Sequence, residues 1–397
     1  MSEPLLHVGV DASPLGPGRT GVGNYVSTLL LAMCEQNPKV EFTLFGNTTV
    51  VFNRMPNVTV NAAPTKWRGP LWHTFELGRT LTKSNIQAFW GTNGYLPPYR
   101  LRGIATVVTV HDLAEVFVPH TQARLVRWSR RLLQPRAVRV ADRIVTVSGA
   151  TASDVESTYG RKVDAVIHPL ISSRFRSVTG LESAHVIAKY KLPERFLLTV
   201  GTLEPRKNLA ALITAYINRR NSGADLPLLA LVGGDGWRDS SIRSTVSNAE
   251  QSGLIRRLGF VPSEDLPALY ASCEVFLMPS IYEGFGMPLV EAQLCGAPVV
   301  HGSHPSMVEA AGGLGVAVGP SEADLMVMFD ALADGRCAVA CRRLAPSSMI
   351  QRSRRDGCGN SSQRRLLKQR SDRIETPPQA PGVRAHKGTP LLRANSL

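Results

Sequence analysis

Residues 278–300 read MPSIYEGFGMPLVEAQLCGAPVV, and their pattern indicates the architecture of the chain. An apolar strand is predicted to end near Ser280, and the turn EGFG at 283–286 leads into a helical pattern. Pro288 falls in the first turn of that helix, where proline is tolerated because its missing N–H has no helical partner there. A second apolar run, Pro298–His301, follows. Strand, loop, helix and strand together are typical of a parallel sheet.

The same alternation of short apolar runs and longer helical patterns extends through most of the chain. Further strands are predicted at Leu6–Val10, Phe42–Phe45, Ala105–Val110, Ile144–Val147, Ala165–Ile167, Phe196–Val200, Leu228–Val232 and Val275–Met278. The rhythm is interrupted around 168–176. We therefore predict an α/β protein with two doubly wound Rossmann-like domains, at 1–172 and 173–330. Ligands of such sheets bind beyond the carboxyl ends of the strands, which predicts a site in the cleft between the domains.

Length and composition agree with this architecture. A chain of 397 residues allows two or three domains at about 150 residues each, and 43% apolar with 19% charged residues is ordinary for globular proteins. Disordered, collagen-like and disulfide-scaffold classes are excluded. Cys34, Cys273 and Cys295 are scattered, and the N-terminus lacks the basic and apolar regions of a signal peptide. We expect a cytoplasmic protein.

Residues 331–397 have a different composition. They hold 14 of the 45 Lys and Arg residues but only 4 of the 31 Asp and Glu residues, and no Phe, Trp or Tyr. We predict an irregular basic tail there. Single-strand nucleic-acid binders stack bases on aromatic side chains, so we expect no specific nucleic-acid partner, while general polyanion binding through the tail stays an alternative. A shifted reading frame or a non-native C-terminus is our hypothesis for the abrupt change.

The same tail contains residues of the types that bind metals. Its cysteines and one histidine have a spacing that matches no compact zinc finger, so we predict no metal. These residues are Cys337, Cys341, Cys358 and His386.

Glu283 and Glu291 are the first candidate site residues. They lie eight positions apart, which is about 80° out of register on one helix, but Glu283 falls in the loop and Glu291 about one turn into the helix. A loop carboxylate can accept hydrogen bonds from sugar hydroxyls while the helical one reaches a ribose diol. This division suits a nucleotide sugar. Two solvated glutamates are the alternative.

Two cations precede another helix, in the segment LLTVGTLEPRKNL at Leu197–Leu209. Arg206 and Lys207 fall just before the predicted helix start at Asn208 or Leu209. Free N–H groups, the positive end of a helix dipole and two cations form a combination that binds a diphosphate. A solvated pair of charges in a turn is the alternative.

A glycine cluster, GPGRTGVGN at 16–24, follows the first strand and precedes a helical pattern. Its backbone can approach a ligand closely. The spacing differs from the GxGxxG pattern of dinucleotide sites, and a flexible surface loop is the alternative.

Taken together, these motifs resemble the retaining glycosyltransferases of family 4, which have the GT-B fold. The resemblance covers about residues 5–325 in order and rests on GVGNY, VTVHDL, VTVSGATASD, VGTLEPRKNL, LVGGDG, LGFVPSEDLPALY and PSIYEGFGMPLVEAQLCGAPVV. It implies a nucleotide-diphosphate sugar donor held mainly by the second domain and an acceptor on the first. It implies no cofactor and no metal.

The resemblance also implies roles for individual residues. Glu283 matches the glutamate that contacts the transferred sugar and Glu291 the one that binds the ribose, while Arg206 and Lys207 hold the diphosphate. Many members have Arg directly after the strand glycine. This chain has Thr202 there, so we expect Arg206 to substitute for the absent cation.

Backbone groups and a histidine complete the implied site. His111, at the end of VTVHDL, is expected at the reaction centre, and Asp112 beside it is an alternative residue for orienting the acceptor or the loop. The expected backbone contacts to the donor come from Gly284, Phe285 and Gly286, and from Gly21 and Gly23 in an N-terminal loop.

A basic stretch suggests a place for the acceptor. Six arginines in 16 residues, with no acidic residue, are interleaved with Leu125, Trp128, Leu132 and Leu133. Such a helix can lie on anionic lipid headgroups and bring the enzyme to a lipid-linked acceptor. A solvated helix face is the alternative. The arginines are Arg124, Arg127, Arg130, Arg131, Arg136 and Arg139.

The resemblance thus predicts a retaining transferase of surface polysaccharide synthesis. We expect it to move a hexose, with mannose from GDP-mannose as the leading candidate, to a saccharide or lipid-linked saccharide. Attack on the same face of the sugar, with the leaving phosphate taking the acceptor proton, is the mechanism implied. The alternatives are a nucleotide-sugar binding protein or an epimerase of the same fold with impaired transfer.

Overall fold

The computed structural model describes residues 6–18, 21–62, 65, 70–178, 180–234 and 240–335. The predictions for 336–397, including the disfavoured zinc ligands, lie outside these residues.

The first sheet contains seven parallel strands in the order β3-β2-β1-β4-β5-β6-β7. The order reverses between β1 and β4, which is the switch point of a doubly wound sheet. The strands are β1 (Leu6–Asp11), β2 (Val40–Gly46), β3 (Val58–Ala62), β4 (Ala88–Gly91), β5 (Ala105–Val110), β6 (Arg143–Thr146) and β7 (Ala165–Val166).

The second sheet contains six parallel strands in the order β10-β9-β8-β11-β12-β13. It has the same arrangement as the first, and its switch point lies between β8 and β11. The strands are β8 (Phe196–Val200), β9 (Leu228–Val232), β10 (Ile255–Gly259), β11 (Val275–Met278), β12 (Val299–Gly302) and β13 (Val316–Val318).

Helices connect the strands of both sheets. In the first domain they are α1 (Gly21–Gln36), α2 (Pro70–Trp72), α3 (Gly78–Thr82), α4 (Ala114–Phe117), α5 (Arg124–Val140) and α6 (Gly149–Tyr159). In the second they are α7 (Gly180–Lys189), α8 (Leu209–Asn221), α9 (Ser240–Gln251), α10 (Leu266–Ser272), α11 (Met287–Leu294), α12 (Pro305–Ala311) and α13 (Glu322–Ala333). A π-helical turn, His73–Leu77, joins α2 to α3. No helix within the described residues is long and apolar enough to cross a membrane.

Both faces of each sheet are covered by apolar side chains. Along β8, Leu197 packs into one core of the second domain, and Leu198 packs into the other. This follows from the period of two of a strand, and it explains why buried parallel strands have continuous apolar runs such as FLLTV. The nine predicted strands are confirmed to within two residues. The structure adds β3, β4, β10 and β13.

The predicted domain boundaries can be compared with the observed elements. The segment between β7 and α7 contains the predicted boundary at 172 and 173. Helix α13 ends at Ala333, three residues beyond the predicted start of the tail region after 330.

Candidate active site

The loops that follow β8 and β11 meet at the switch point of the second sheet. The N–H of Ile281 donates to the carbonyl of Arg206 at 2.8 Å, and this bond fixes the two loops side by side. Arg206 and Lys207 form a single 3₁₀ turn before α8, and Asn208 is the N-cap of that helix. The predicted position of both cations at a helix start is therefore confirmed.

Glu283 forms ion pairs with both cations. Its two carboxylate oxygens accept from Arg206 Nη1 and from Lys207 Nζ, and Arg206 Nε donates to Glu204 at 2.8 Å. Burial alone would raise the pKa of Glu283, but the charges of Arg206 and Lys207 hold that pKa at about 2. Glu283 is ionised at neutral pH and fixes the positions of both cations.

Glu291 lies in α11 with a separate environment. The hydroxyl of Tyr270 donates to its Oε2 at 3.2 Å, and burial raises the pKa of Glu291 to about 7. Within the described residues no ion pair joins Glu291 to Arg206 or Lys207. The loop and helix positions of the two glutamates are as predicted, and the structure gives them opposite pKa shifts.

His111 follows β5 at the carboxyl edge of the first sheet. Its Nε2 donates to the carbonyl of Thr92 at 2.7 Å, and the imidazole is perpendicular to the ring of Tyr25, with 5.1 Å between the centroids. Burial lowers the pKa of His111 to about 4. The imidazole is therefore neutral at pH 7, and it can act as a hydrogen-bonding group but not as a cation.

The EGFG loop reaches the first domain. Ser148 Oγ donates to the carbonyl of Gly284 at 2.6 Å, and Thr151 Oγ1 donates to the same oxygen at 3.2 Å. Phe285 packs against the core beneath β1 and β2 and stacks on His168 with 5.3 Å between the ring centroids. These contacts bring the loop next to His111.

Three of the predicted glycines lie at the starts of helices. Gly286 is the N-cap of α11 with φ of 107°, a conformation that favours glycine. Gly21 and Gly23 lie in the first turn of α1. The prediction that they form a loop was wrong, because the helix begins at Gly21. Tyr25 in that helix still brings its first turns close to His111.

A buried ion cluster beside His111 was missed by sequence reasoning. Arg130 Nη1 donates to Asp112 at 2.8 Å and lies 3.7 Å from Glu115, whose side chain is fully buried. Burial raises the pKa of Glu115 to about 7. Asp112 also accepts from the N–H of Ala114, so it holds the loop after β5. Asp112 and Arg130 were both named from the sequence, in separate motifs, but a separation of 18 residues gave no indication that they pair.

A second buried pair closes the end of β1. His73 Nε2 contacts Asp11 Oδ2 at 2.8 Å, and Thr92 Oγ1 donates to the carbonyl of Asp11 at 2.7 Å. Because Thr92 also accepts from His111, a chain of hydrogen bonds joins the ends of β1, β4 and β5. Asp11 at the end of a predicted strand was the available sequence signal.

Two family models match this chain on either side of the interdomain segment. The model described as Glycosyltransferase Family 4 matches residues 19–173, and the model described as Glycosyl transferases group 1 matches residues 184–325. The chain contains a glycosyltransferase family 4 domain followed by a glycosyl transferases group 1 domain. The two matched regions contain the elements of the first and second sheets, and the second includes both glutamates and both cations of the site.

Two mannosyltransferases have related sequences. O-antigen chain mannosyltransferase B of Escherichia coli is 36% identical over 242 residues, which are 59% of this chain and 62% of that protein. The chain thus spans less than two thirds of this relative. O-antigen chain mannosyltransferase RfbU of Salmonella typhimurium is 27% identical, over 73% of this chain and 80% of that protein.

The fold is shared with solved structures of glycosyltransferases. WaaG, a glycosyltransferase involved in lipopolysaccharide biosynthesis, superposes with a TM-score of 0.66 at 18% identity, over 86% of this chain and 96% of that chain. The two parallel sheets, the switch points and this similarity give the chain the predicted GT-B fold.

Proposed function

We propose that this protein is a retaining glycosyltransferase that moves mannose from GDP-mannose to a saccharide or lipid-linked saccharide in surface polysaccharide synthesis. One observation carries the proposal: Arg206 and Lys207, both largely buried, pair with buried Glu283 at the switch point of the second sheet, in the loop that leads into the helix of Glu291. The names of the relatives, both O-antigen mannosyltransferases, support the choice of sugar.

The charges of the cluster suit a leaving diphosphate. Arg206 has five N–H donors and Lys207 three, so each can bond phosphate oxygens while it stays paired with Glu283. Charge that develops on the diphosphate is stabilised most where the donors are already oriented and water is excluded. The pairing with Glu283 provides that orientation, and the burial of the cluster reduces solvent screening.

The remaining residues divide between donor and acceptor. In this proposal Glu283, ionised at neutral pH, accepts hydrogen bonds from the sugar hydroxyls and faces the positive charge of an oxocarbenium-like sugar. Glu291 binds the ribose diol, and the second domain holds the donor. The neutral imidazole of His111 belongs to the first domain and bonds a hydroxyl near the reacting carbon. The leaving phosphate accepts the acceptor proton on the same face.

Calorimetric titration tests the donor. Wild-type protein and Glu291→Ala are titrated with GDP-mannose, UDP-glucose and UDP-N-acetylglucosamine. We expect saturable binding of GDP-mannose and weaker binding by Glu291→Ala, because the carboxylate no longer bonds the ribose. Preference for another donor would refute mannose but keep the transferase. A changed sugar nucleotide formed without acceptor would support an epimerase, and an inverted anomeric configuration in the product would refute retention.

The exposed face of α5 supports a second part of the proposal, docking on an anionic membrane at the cytoplasmic face. Leu125, Trp128 and Leu132 lie on one side of the helix and are 85%, 68% and 73% exposed. Exposed arginines flank them. Two arginines are not exposed: Arg127 is half-buried and donates to the carbonyl of Pro119, and Arg130 is 16% exposed and turns inward to Asp112. The arginines of α5 are therefore divided between the protein surface and a buried ion pair. The exposed side chains of Leu125, Trp128 and Leu132 are the main support for membrane docking.

Vesicle sedimentation tests the docking. We expect the protein to bind phosphatidylcholine vesicles that contain phosphatidylglycerol, and to bind pure phosphatidylcholine vesicles weakly. Trp128→Ala combined with Leu132→Ala should reduce binding by about tenfold, because both side chains leave water on docking. Val327→Ala, an exposed apolar residue on α13, is the matched control. Equal binding by all variants would refute docking through α5.

A further inference from the structure

The loop that carries Glu283 is bound to the first domain by the residue before it. The hydroxyl of Tyr282 donates to Asp154 Oδ2 at 2.6 Å and accepts from the N–H of Leu113 at 3.1 Å. Asp154 belongs to α6, and Leu113 follows His111 by two residues. One hydroxyl of the second domain thus bonds two separate elements of the first.

Apolar contacts hold the same ring. Tyr282 is buried in a small cluster with Ala114 and Val118 of the first domain, and its ring stacks on Phe117 at 5.8 Å with 14° between the planes. The ring also contacts His304, with 4.5 Å between the ring centroids. Burial and the hydrogen bond to Asp154 raise the pKa of Tyr282. The hydroxyl therefore keeps its proton and remains a donor to Asp154.

Tyr282 and Glu283 extend to opposite sides of the loop. Tyr282 enters the first domain, while Glu283 binds Arg206 and Lys207 in the second. Arg206 also approaches the carbonyl of Tyr282, at 3.5 Å. A displacement of the Tyr282 ring moves the backbone between these two sets of contacts, so the position of Glu283 depends on the position of the loop after His111.

We propose that Tyr282 is a positioning residue, whose hydroxyl couples the loop after His111 to the loop that carries Glu283. It touches neither donor nor acceptor and acts through these two loops. The coupling sets the distance between the acceptor side and the donor side of the cleft. The expected effect on the transfer rate rests on the proposed transferase function. The coupling between the two loops requires no substrate and can be tested in the protein alone.

Hydrogen–deuterium exchange tests the coupling without any substrate. In Tyr282→Phe, which keeps the ring contacts, we expect amide exchange to rise by about tenfold in both 111–115 and 281–287, since one buried hydroxyl loses both partners. Asp154→Ala removes the acceptor from the other domain and should give the same two-segment pattern. Tyr216→Phe is the control, because the Tyr216 hydroxyl is bonded to Pro227 and Leu254 within the second domain.

Exchange that rises in one segment only, in neither segment, or equally in Tyr216→Phe would overturn the coupling.

A kinetic experiment uses the donor that binds wild-type protein. Tyr282→Phe should lower kcat for transfer by about tenfold and leave the donor KM within about twofold, because the donor contacts remain. A kcat of Tyr282→Phe equal to that of wild type under the same conditions would overturn the positioning role. If wild-type protein transfers no sugar, the proposed function fails, and the exchange pattern still decides whether Tyr282 couples the loops.

Discussion

Gly284 lies against the backbone carbonyl of His111 so closely that a Cβ at position 284 would stand 2.0 Å from that oxygen. A real Cβ atom cannot occupy this space, and the obstacle is backbone rather than a side chain that can turn aside. The two domains therefore meet backbone to backbone beside Glu283. Glycine at position 284 is required by this approach, and its carbonyl is bonded by Ser148 and Thr151.

Replacement of this glycine should separate the two loops. We expect Gly284→Ala to lose about 1–3 kcal/mol of unfolding free energy, the usual cost of overpacking, and to lower transfer activity more strongly than donor affinity. Urea unfolding measures the stability, a transfer assay the activity, and calorimetry the donor affinity. Gly180→Ala is the control, because a Cβ there meets no atom within 4 Å. Equal stability of both variants would contradict the close approach.

The stabilisation of the fold by the ion pairs of Glu283 should be lost at acid pH. The pKa of Glu283 is lowered from 4.5 to about 2, so its ion pairs stabilise the fold above pH 4.5. That contribution is lost as the pH falls towards 2, and amounts to at most about 3 kcal/mol. Urea unfolding of wild type at pH 6 and pH 3 should show the loss. Glu283→Gln should show less of it, and exposed Glu250→Gln should behave as wild type.

Glu291 should give the opposite pH dependence. Its pKa is raised from 4.5 to about 7, so the protonated form stabilises the fold below pH 4.5, and this stabilisation is lost as the pH rises to 7. Glu291→Gln keeps an acceptor for Tyr270 but does not ionise. The difference in unfolding free energy between Glu291→Gln and wild type should therefore favour the variant more at pH 8 than at pH 5.

Donor binding should follow the ionisation of the same residue. A carboxylate accepts two hydrogen bonds from a ribose diol, and its protonated form is a poorer acceptor. We expect wild-type affinity for the donor to fall below pH 7, by up to about tenfold per pH unit. Glu291→Gln should bind more weakly at pH 8 and show little change with pH. Constant wild-type affinity from pH 5 to pH 8 would argue against a ribose contact by Glu291.

Neighbouring arginines of α5 should differ in their effect on stability. Arg130→Ala leaves Asp112 and buried Glu115 without their cation, and breaking such a buried pair costs about 3–5 kcal/mol. Arg131→Ala on the exposed face should stay within about 0.5 kcal/mol of wild type. Thermal and urea unfolding compare the two. A combined Arg130→Met and Asp112→Asn variant should recover part of the loss, and its failure to do so would count against the pair.

The sequence predicted strands well where both faces are buried. Runs such as FLLTV at β8 and LLALV at β9 are apolar without interruption, because helices cover both sides of a parallel sheet. Strand β10, IRRLG, is at the edge of its sheet and has two arginines, Arg256 and Arg257, so its apolar pattern is broken. Strand β4 has only four residues, Ala88–Gly91. The apolar pattern of β4 and β10 was too short or too interrupted to be recognised, whereas β11, also of four residues, and the edge strand β7 were predicted from their apolar runs.

By itself the sequence determined the two Rossmann-like units, the loop position of Glu283, the helical position of Glu291 and the cations before α8. Each of these follows from local pattern, since strand and helix periods and turn residues act over a few positions. Only the tertiary structure decided that Glu283 pairs with Arg206 and Lys207, that burial keeps His111 neutral, and that Tyr282 crosses to the first domain. The ion pairs of Glu283 and the contacts of Tyr282 join residues 76–169 positions apart. The energies of all three features arise from desolvation and charge that no local spacing encodes.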